Sequence, residues 1–225
     1  MVIPALDEEG ALPAVLAAIA PGDAGRVVVV DNGSTDRTAL VAARAGATVV
    51  REPRRGYGAA CLRGLERLRA DPPDIVVFLD ADGSDDPREL PRLVAPIREG
   101  RADLVVGSRV LGAREPGALT PVQRFGNALA TTLLRALFGA RFTDLGPFRA
   151  IGWGALERLA MRDRGYGWTV EMQARAARAG LRCAEVPVAT RRRAAGRSKV
   201  SGTLRGVVGA GGKILFTIAK VRLGG

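Results

Sequence analysis

The stretch Ile75-Val76-Val77-Phe78-Leu79-Asp80-Ala81-Asp82-Gly83 decides the fold. Its five consecutive apolar residues, three of them β-branched, predict a buried strand over 75–79. Asp80 and Asp82 follow where this strand ends, and carboxylates cannot be buried there without partners. A divalent cation that bridges two phosphates would be such a partner. The alternative is a solvated acidic turn that leads into the next helix.

Strand and helix signals alternate on both sides of this stretch. Further strands are predicted at 1–3, 26–30, 47–51, 104–107 and 185–189, and helices at 8–19, 36–45, 58–70, 87–99, 120–138 and 170–179. Such alternation predicts an α/β fold with a Rossmann-like, mostly parallel sheet flanked by helices. Ligands bind these sheets at the carboxyl ends of the strands. We therefore expect the site directly after residues 3, 30 and 79.

The turn after the second predicted strand reads Asp31-Asn32-Gly33-Ser34-Thr35-Asp36. Gly33 permits a sharp turn and a close approach of the backbone to a ligand. Asp31 is placed to hydrogen-bond a base or a ribose. The alternative is an ordinary strand-to-helix turn whose Ser, Thr and Asp oxygens cap the following helix.

A basic segment covers residues 191–199 and includes Arg193 and Lys199. Its cations flank the small residues 194–196, so the segment can act as a flexible clamp on a departing diphosphate. The alternatives are a solvated loop or a nucleic-acid patch, which the net charge of +11 also suggests. Aromatic residues make up only 4% of the chain, which weakens the case for nucleic acid.

The residue types present restrict the choice of metal. The chain has no histidine and two distant cysteines, Cys61 and Cys183, which we expect to be reduced and packed. A metal ion would therefore be held by oxygen ligands, which favours Mg²⁺ or Mn²⁺. We also expect Trp153, Trp168 and Tyr166 to be packing residues rather than a stacking platform.

The C-terminal part mixes apolar and basic residues. We predict one catalytic domain over 1–203 and a basic apolar tail over 204–225, which packs on the domain or lies in a membrane interface. Four glycines between 206 and 212 weaken a continuous helix there. Lys213 and Lys220 interrupt the apolar run, so it does not predict a membrane span. Because the N-terminus has no basic region of a signal peptide, we expect a cytoplasmic protein, peripheral at the inner face of the membrane.

Several motifs together carry a resemblance to a known family. They are Val2-Ile3-Pro4 with Asp7-Glu8, residues 30–36, Gly56-Tyr57-Gly58 and Asp80-Ala81-Asp82, followed by 107–109, 144–150, 168–172 and 193–199. In order and spacing the first four resemble family 2 glycosyltransferases with the GT-A fold. The later four resemble the branch of dolichyl-phosphate or polyprenyl-phosphate mannose and glucose synthases. The likeness runs from residue 1 to about 203.

The resemblance implies roles for individual residues. It assigns Pro4, Asp7, Glu8 and Asp31 to the nucleotide pocket, Asp80 and Asp82 to the metal and donor diphosphate, Arg109 and Arg124 to the acceptor phosphate, and Arg193 and Lys199 to a loop over the diphosphate. Asp7 stands where the family often has Asn, and Ser84 stands at a further position that approaches the metal in the synthases. Glu171 is a candidate catalytic carboxylate. Because an acceptor phosphate is already ionised and needs no base, Glu171 is expected to orient the acceptor or an arginine, or to lie on a helix surface.

The function implied is an inverting transfer of a hexose from a nucleoside diphosphate sugar, of the GDP-mannose or UDP-glucose type, to a polyprenyl phosphate. Asp82, Arg109, Arg124 and Glu171 are the predicted catalytic residues. The same donor chemistry with a soluble acceptor stays open, as does a nucleotide-sugar-binding protein without turnover. A nucleic-acid-binding protein is the weakest alternative, and homo-oligomer formation is left open.

Overall fold

The computed structural model describes residues 1–194 and 204–224. Its seven strands are β1 (Val2–Ala5), β2 (Val28–Asp31), β3 (Thr48–Arg51), β4 (Ile75–Phe78), β5 (Leu104–Ser108), β6 (Arg149–Gly152) and β7 (Cys183–Pro187). They form one sheet in the order β3-β2-β1-β4-β6-β5-β7. All neighbouring pairs are parallel except those of β6, which runs antiparallel to both β4 and β5. The predicted fold class, a mostly parallel α/β sheet, is therefore confirmed.

Helices cover both faces of the sheet. They are α1 (Leu12–Ala17), α2 (Thr38–Arg44), α3 (Tyr57–Leu68), α4 (Leu90–Arg98), α5 (Pro121–Phe138), α6 (Trp153–Leu159), α7 (Trp168–Arg178) and α8 (Leu204–Arg222), with a 3₁₀ turn at Pro87–Glu89. Strand residues alternate between two apolar clusters, one against α3, α5, α7 and α8 and one against α1, α2 and α4. This alternation follows from the two-residue period of a strand.

Local sequence signals account for several helix ends. Thr120 caps α5, because its hydroxyl accepts a hydrogen bond from the Gln123 backbone while the Gln123 side chain accepts one from the Thr120 backbone. Gly139 ends α5 in a left-handed conformation. Asp86 accepts a hydrogen bond from the Arg88 backbone and so begins the 3₁₀ turn that precedes α4.

Other expectations need correction. The first helix begins at Leu12 instead of residue 8, because Asp7 has a φ of 52° and residues 7–9 form a turn against the β2–α2 loop. β6 and α6 were not predicted, since the short segment at 149–152 gives no long β-branched signal. Cys183 is exposed because β7 is an edge strand, whereas Cys61 is buried as expected.

The helix α8 also differs from expectation, because it continues through all four glycines. It packs against α5 and α7, and its Ile218 and Val221 are buried there. Tertiary packing of this kind outweighs the low helix propensity of glycine. Within the part of the chain that the structure describes, no helix has the length and apolar character needed to cross a bilayer.

Candidate active site

A cleft of about 350 Å³ opens at the carboxyl ends of β1, β2 and β4. These three parallel strands end at the same edge of the sheet, as the sequence predicted. The residues that line the cleft are Pro4, Ala5, Leu6, Glu8, Asn32, Arg55, Gly56, Tyr57, Ala60, Asp80, Ala81, Asp82, Tyr166 and Arg193. The cleft thus brings together five of the predicted site residues: Pro4, Glu8, Asp80, Asp82 and Arg193.

The carboxylates that follow β4 differ in their surroundings. Asp82 accepts a hydrogen bond from the Ser84 backbone at 2.9 Å. The Oδ1 of Asp80 is buried and has no hydrogen-bond partner among the residues that the structure describes. Burial, reinforced by the negative charge of Asp82, raises the pKa of Asp80 to about 7. The pair is therefore short of positive charge.

A third carboxylate, Asp85, lies beside this pair and was not predicted. It is 3% exposed, and neither of its side-chain oxygens has a hydrogen-bond partner within residues 1–194 and 204–224. Burial raises its pKa to about 8, and the positive charge of Arg109 only partly opposes this effect. The acidic run over 80–86 contained the signal, but the sequence does not reveal which of its members point inward.

These observations fit a divalent cation. A cation beside Asp80 and Asp82 would supply the partner that the buried Asp80 oxygen lacks and would offset the two negative charges. Among the residues that the structure describes, no three His, Cys, Asp or Glu side chains are grouped to hold a metal ion by themselves. An ion held by two carboxylates, with substrate phosphates completing its ligands, is typical of Mg²⁺ in nucleotide-dependent enzymes.

Arg193 and Ala194, in the described part of the basic segment, contact the acidic residues of the cleft. Arg193 forms an ion pair with Glu8 and another with Asp82, at 2.9 Å in the second case. The Ala194 backbone donates a hydrogen bond to the Asp82 carbonyl at 3.0 Å, which holds residues 193–194 against the acidic turn. Arg193 therefore stands where it can contact a diphosphate that binds through a cation at Asp80 and Asp82. Lys199 lies outside the described residues.

The predicted nucleotide-binding residues after β1 and β2 divide into two groups. Asp31 accepts a hydrogen bond from the Ser34 backbone at 2.8 Å, and Asp7 accepts one from the Thr35 backbone at 2.7 Å. Both lie next to the cleft but outside its lining, since their carboxylates stabilise the two turns. Asn32, which was not predicted, lines the cleft and accepts a hydrogen bond from the Gly56 backbone at 2.8 Å.

The far wall of the cleft comes from Gly56, Tyr57 and Tyr166. Gly56 has a φ of 146°, and a Cβ there would lie 2.1 Å from the Arg164 carbonyl oxygen. Glycine is therefore required where α3 meets the loop that carries Tyr166. Tyr166 is 41% exposed and faces the cleft, so the expectation that it is a packing residue was wrong. Trp168 is fully buried and packs edge-on against Phe78, as expected.

Arg109 and Arg124, the predicted acceptor ligands, have different environments. Arg109 donates to both carboxylate oxygens of Asp144, through Nε and Nη2 at 2.8 Å each. Asp144 is fully buried, and it also accepts a hydrogen bond from the Arg109 backbone at 2.8 Å. Arg124 is exposed in the first turn of α5 and does not line the cleft.

Glu171 is buried in α7 and does not line the cleft. Its carboxylate accepts hydrogen bonds from the backbone N–H groups of Arg162 and Asp163, and from the Arg175 side chain at 2.8 Å. Glu171 therefore holds a loop and an arginine in place.

The sheet order, the cleft at its carboxyl edge and the paired carboxylates define a class of protein, the GT-A-type glycosyltransferases that use nucleotide sugars. The model of glycosyl transferase family 2 matches residues 1–160, and this chain belongs to that family. The resemblance inferred from the sequence motifs is thereby confirmed.

Curated relatives match over most of the chain. An uncharacterised glycosyltransferase of Mycobacterium tuberculosis is 47% identical over 210 residues, which cover 92% of this chain and 92% of the relative. An undecaprenyl-phosphate mannosyltransferase of Micrococcus luteus is 35% identical over 226 residues, which cover 92% of this chain and 88% of the relative. This second relative belongs by name to the polyprenyl-phosphate branch that the later motifs resemble.

Solved structures of glucosyl-3-phosphoglycerate synthase from Mycobacterium tuberculosis are also similar. One contains Mn²⁺, UDP-glucose and phosphoglyceric acid, and it matches with a TM-score of 0.75 and 26% identity over 98% of this chain and 78% of that one. Another contains Mg²⁺ and UDP and matches with a TM-score of 0.78 and 28% identity over 99% and 78%. Mn²⁺ and Mg²⁺ are the two cations predicted from the sequence.

Proposed function

We propose that this protein transfers a hexose from a nucleoside diphosphate sugar to the phosphate of a polyprenyl phosphate, with inversion at the anomeric carbon. An acceptor phosphate oxygen forms a bond to the anomeric carbon as the bond to the donor diphosphate breaks, and the nucleoside diphosphate leaves. The observation that carries the donor chemistry is the Asp80–Asp82 pair in the cleft: Asp82 contacts Arg193, and a buried Asp80 oxygen has no hydrogen-bond partner among the described residues.

Asp80 and Asp82 would hold the divalent cation, Mg²⁺ or Mn²⁺. When bound, such a cation neutralises charge that develops on a departing diphosphate. The similar synthase was crystallised with either ion, which supports this assignment. Asp80 must be ionised to bind a cation, and its raised pKa means that cation binding also releases a proton near neutral pH.

Arg193 supplies a second positive charge, from a side chain and not from a bound metal ion. In this structure its guanidinium contacts both Glu8 and Asp82, so it is already positioned over the carboxylates. A fixed cation beside the leaving group stabilises charge without costly reorganisation. We therefore assign Arg193 to the leaving diphosphate, Pro4 and Glu8 to the nucleotide side of the cleft, and Asp31 and Asp7 to the turns that shape it.

The polyprenyl phosphate acceptor is supported by similarity to the undecaprenyl-phosphate mannosyltransferase over 88% of that protein. It is also supported by Arg109, which Asp144 holds rigidly through two hydrogen bonds. The Arg109 Nη1 makes no hydrogen bond to any described residue, so it remains available to a phosphate. An ionised phosphate needs no general base, and the buried position of Glu171 agrees with that.

A lipid acceptor requires contact with a membrane, and the face formed by α5 and α8 suits that contact. Neither helix contains an acidic residue, while α5 carries Arg124 and Arg135 and α8 ends with the exposed Arg222. The exposed apolar side chains on these two helices include Val122, Phe125, Leu129, Leu137, Leu215 and Phe216. Cations beside apolar side chains favour an anionic lipid surface. We therefore propose peripheral binding to such a surface.

A small phosphorylated acceptor in solution is the second candidate. It is favoured by the similarity to glucosyl-3-phosphoglycerate synthase, whose structure contains phosphoglyceric acid. Arg109 would bind the phosphate of such an acceptor in the same way. The two candidates share the donor and the cation, and they differ only in the acceptor.

The test is a transfer assay with purified protein, Mn²⁺ or Mg²⁺, and UDP-glucose or GDP-mannose. Each donor is offered with undecaprenyl phosphate in anionic vesicles, with 3-phosphoglycerate, and with neither. We expect nucleotide release that requires the lipid phosphate and the cation. Asp82→Asn should reduce it by at least about 100-fold, whereas the exposed control Glu66→Gln should not change it. Transfer to 3-phosphoglycerate alone would select the second candidate, and nucleotide binding without turnover would refute both.

A further inference from the structure

The loop over residues 162–167 lies between the donor cleft and the C-terminal helix α8. On one side its Tyr166 lines the cleft together with Gly56 and Tyr57. On the other side its residues and α8 enclose a separate cavity of about 240 Å³. That second cavity is lined by Arg162, Asp163, Arg164, Glu171, Lys213, Thr217, Lys220 and Val221. One short loop is therefore in contact with two sites.

Backbone contacts join the loop tightly to the start of α3. The Gly58 N–H donates to the Gly165 carbonyl at 3.2 Å, and the Ala59 N–H donates to the Arg164 carbonyl at 3.0 Å. A Cβ at Gly58 would lie 2.0 Å from the Asp163 carbonyl oxygen, so no side chain fits between the loop and α3. A shift of the loop would therefore displace Gly56 and Tyr57, which line the donor cleft.

The shape of the loop depends on the side chain of Asp163. Its Oδ1 accepts hydrogen bonds from the backbone N–H groups of Gly165 at 2.7 Å and Gly167 at 3.1 Å. Its Oδ2 contacts two residues of α8: Lys213 Nζ at 2.8 Å and the Thr217 hydroxyl at 3.4 Å. One buried carboxylate thus folds the loop with one oxygen and binds the helix with the other.

We propose that Asp163 is a positioning residue that couples the seating of α8 to donor binding. When Lys213 and Thr217 hold the carboxylate, the loop keeps Tyr166 at the wall of the cleft. When α8 shifts, Asp163 loses its charged partner and the loop loses the geometry that α3 requires. Because this inference names a regulator of the donor cleft, it rests on the proposed nucleotide-sugar chemistry.

The same cavity provides a matched control. Lys220 lies on α8 and lines the cavity like Lys213, but it makes no ion pair with any residue that the structure describes. Glu171 holds the backbone of Arg162 and Asp163 from the α7 side, so the base of the loop keeps its anchor when Lys213 is changed. A change at Lys213 should therefore move the tip of the loop and not unfold α7.

The experiment compares the full-length wild type with Lys213→Ala, Lys213→Arg, Thr217→Val and Lys220→Ala. Binding of UDP and GDP is measured by calorimetry with Mn²⁺, and donor KM and kcat are measured with whichever donor the wild type uses. We expect Lys213→Ala to raise the nucleotide Kd and donor KM about 5- to 10-fold with kcat changed less than about 2-fold, the pattern of lost uniform binding. Lys213→Arg should restore most of the affinity, and Lys220→Ala should match the wild type.

Equal nucleotide affinity in the wild type and Lys213→Ala, with both folded, would overturn the coupling while leaving the proposed function intact. The same loss in Lys220→Ala would also overturn it, because the effect would then follow charge and not the Asp163 contact. If Lys213→Ala does not fold, Thr217→Val decides, with an expected Kd increase of about 2- to 3-fold. Absence of nucleotide binding in the wild type would overturn the proposed function and this inference together.

Discussion

The guanidinium of Arg193 lies 2.9 Å from the carboxylate of Asp82, although more than one hundred residues separate them in the chain. This ion pair joins the basic segment after β7 to the acidic turn after β4. It also makes Asp82 a residue with two partners, since Ser84 donates to the other oxygen. A diphosphate that enters the cleft would meet a cation and a carboxylate already placed side by side.

Replacement of Arg193 tests its assignment to the leaving diphosphate. Arg193→Ala should lower kcat by about 10- to 100-fold, since a fixed cation at the leaving group is lost. Arg193→Lys should recover only part of the rate, because an ammonium group cannot contact Glu8 and Asp82 with separate nitrogens. The exposed neighbour Arg192, which bonds to Glu115 and the Pro116 carbonyl, is the matched control for steady-state kinetics. A full rate in Arg193→Ala would contradict the assignment.

Asp85 predicts an unusual dependence of stability on pH. Its folded pKa of about 8 lies above the ordinary value of 3.8, so the unfolded chain releases this proton first as the pH rises. The free energy of unfolding should therefore fall between about pH 4 and pH 8, by up to roughly 1.4 kcal/mol per pH unit from this group, and level off above pH 8. Asp85→Asn should remove this slope and stabilise the protein at pH 8, as measured by urea unfolding in EDTA.

The adjacent residue Asp86 should have the opposite effect on the pH dependence of the free energy of unfolding. The Arg88 guanidinium lowers the pKa of Asp86, so its contribution to stability is present above the ordinary pKa and is lost as the pH falls through the lowered one. Asp86→Asn should therefore destabilise the protein slightly at pH 8, by about 0.5–1 kcal/mol. If Asp85→Asn destabilised the protein at pH 8, as Asp86→Asn should, the assigned surroundings of Asp85 would be wrong.

Replacements of Arg109 and Arg124 should distinguish an effect on stability from an effect on acceptor binding. Arg109→Ala would leave the fully buried Asp144 carboxylate without its charged partner, at a cost of about 3–5 kcal/mol in the free energy of unfolding. Arg124→Ala removes an exposed side chain and should change stability by less than about 0.5 kcal/mol. If Arg124 binds the acceptor phosphate, its removal should still raise the acceptor KM about 10-fold. An unchanged acceptor KM would remove Arg124 from the site.

Tyr166 should contribute its ring to donor binding. Its exposed ring lines the cleft, so Tyr166→Ala should raise the donor KM about 10-fold, while Tyr166→Phe should keep the wild-type value. Trp153, which packs partly buried against the core, offers a comparison for stability. Equal donor KM values in the wild type and Tyr166→Ala would show that the ring does not contact the donor.

The donor side of the site could be predicted because its residues follow strands. Asp80 and Asp82 come directly after an apolar run, and Pro4 and Glu8 follow another, so the geometry of a parallel sheet brings them together. Asn32 lies in a motif that the sequence analysis identified, but Asp31 in the same turn was predicted as the ligand because its side chain is charged. The structure shows that Asp31 is engaged within the turn.

The features that could not be predicted depend on contacts between segments that are distant in the chain. Tyr166 reaches the cleft only because Gly56 and Gly58 allow the 162–167 loop to approach α3, and nothing near Tyr166 in the chain signals this. Likewise, α8 continues through its glycines because α5 and α7 cover one side of it. Local propensity cannot report stabilisation by packing partners elsewhere in the chain.

The antiparallel strand β6 brings a long segment of the chain back to the sheet beside β4. The strands β3, β2, β1 and β4 all precede the segment 109–148, and this segment returns to the sheet through β6 beside β4. Insertions or replacements in that segment would therefore leave the pairing of these four strands intact. Because Arg109 and Arg124 lie in that segment, changes there could alter the acceptor, from a lipid phosphate to a small metabolite, while the strand that precedes Asp80 and Asp82 stays the same.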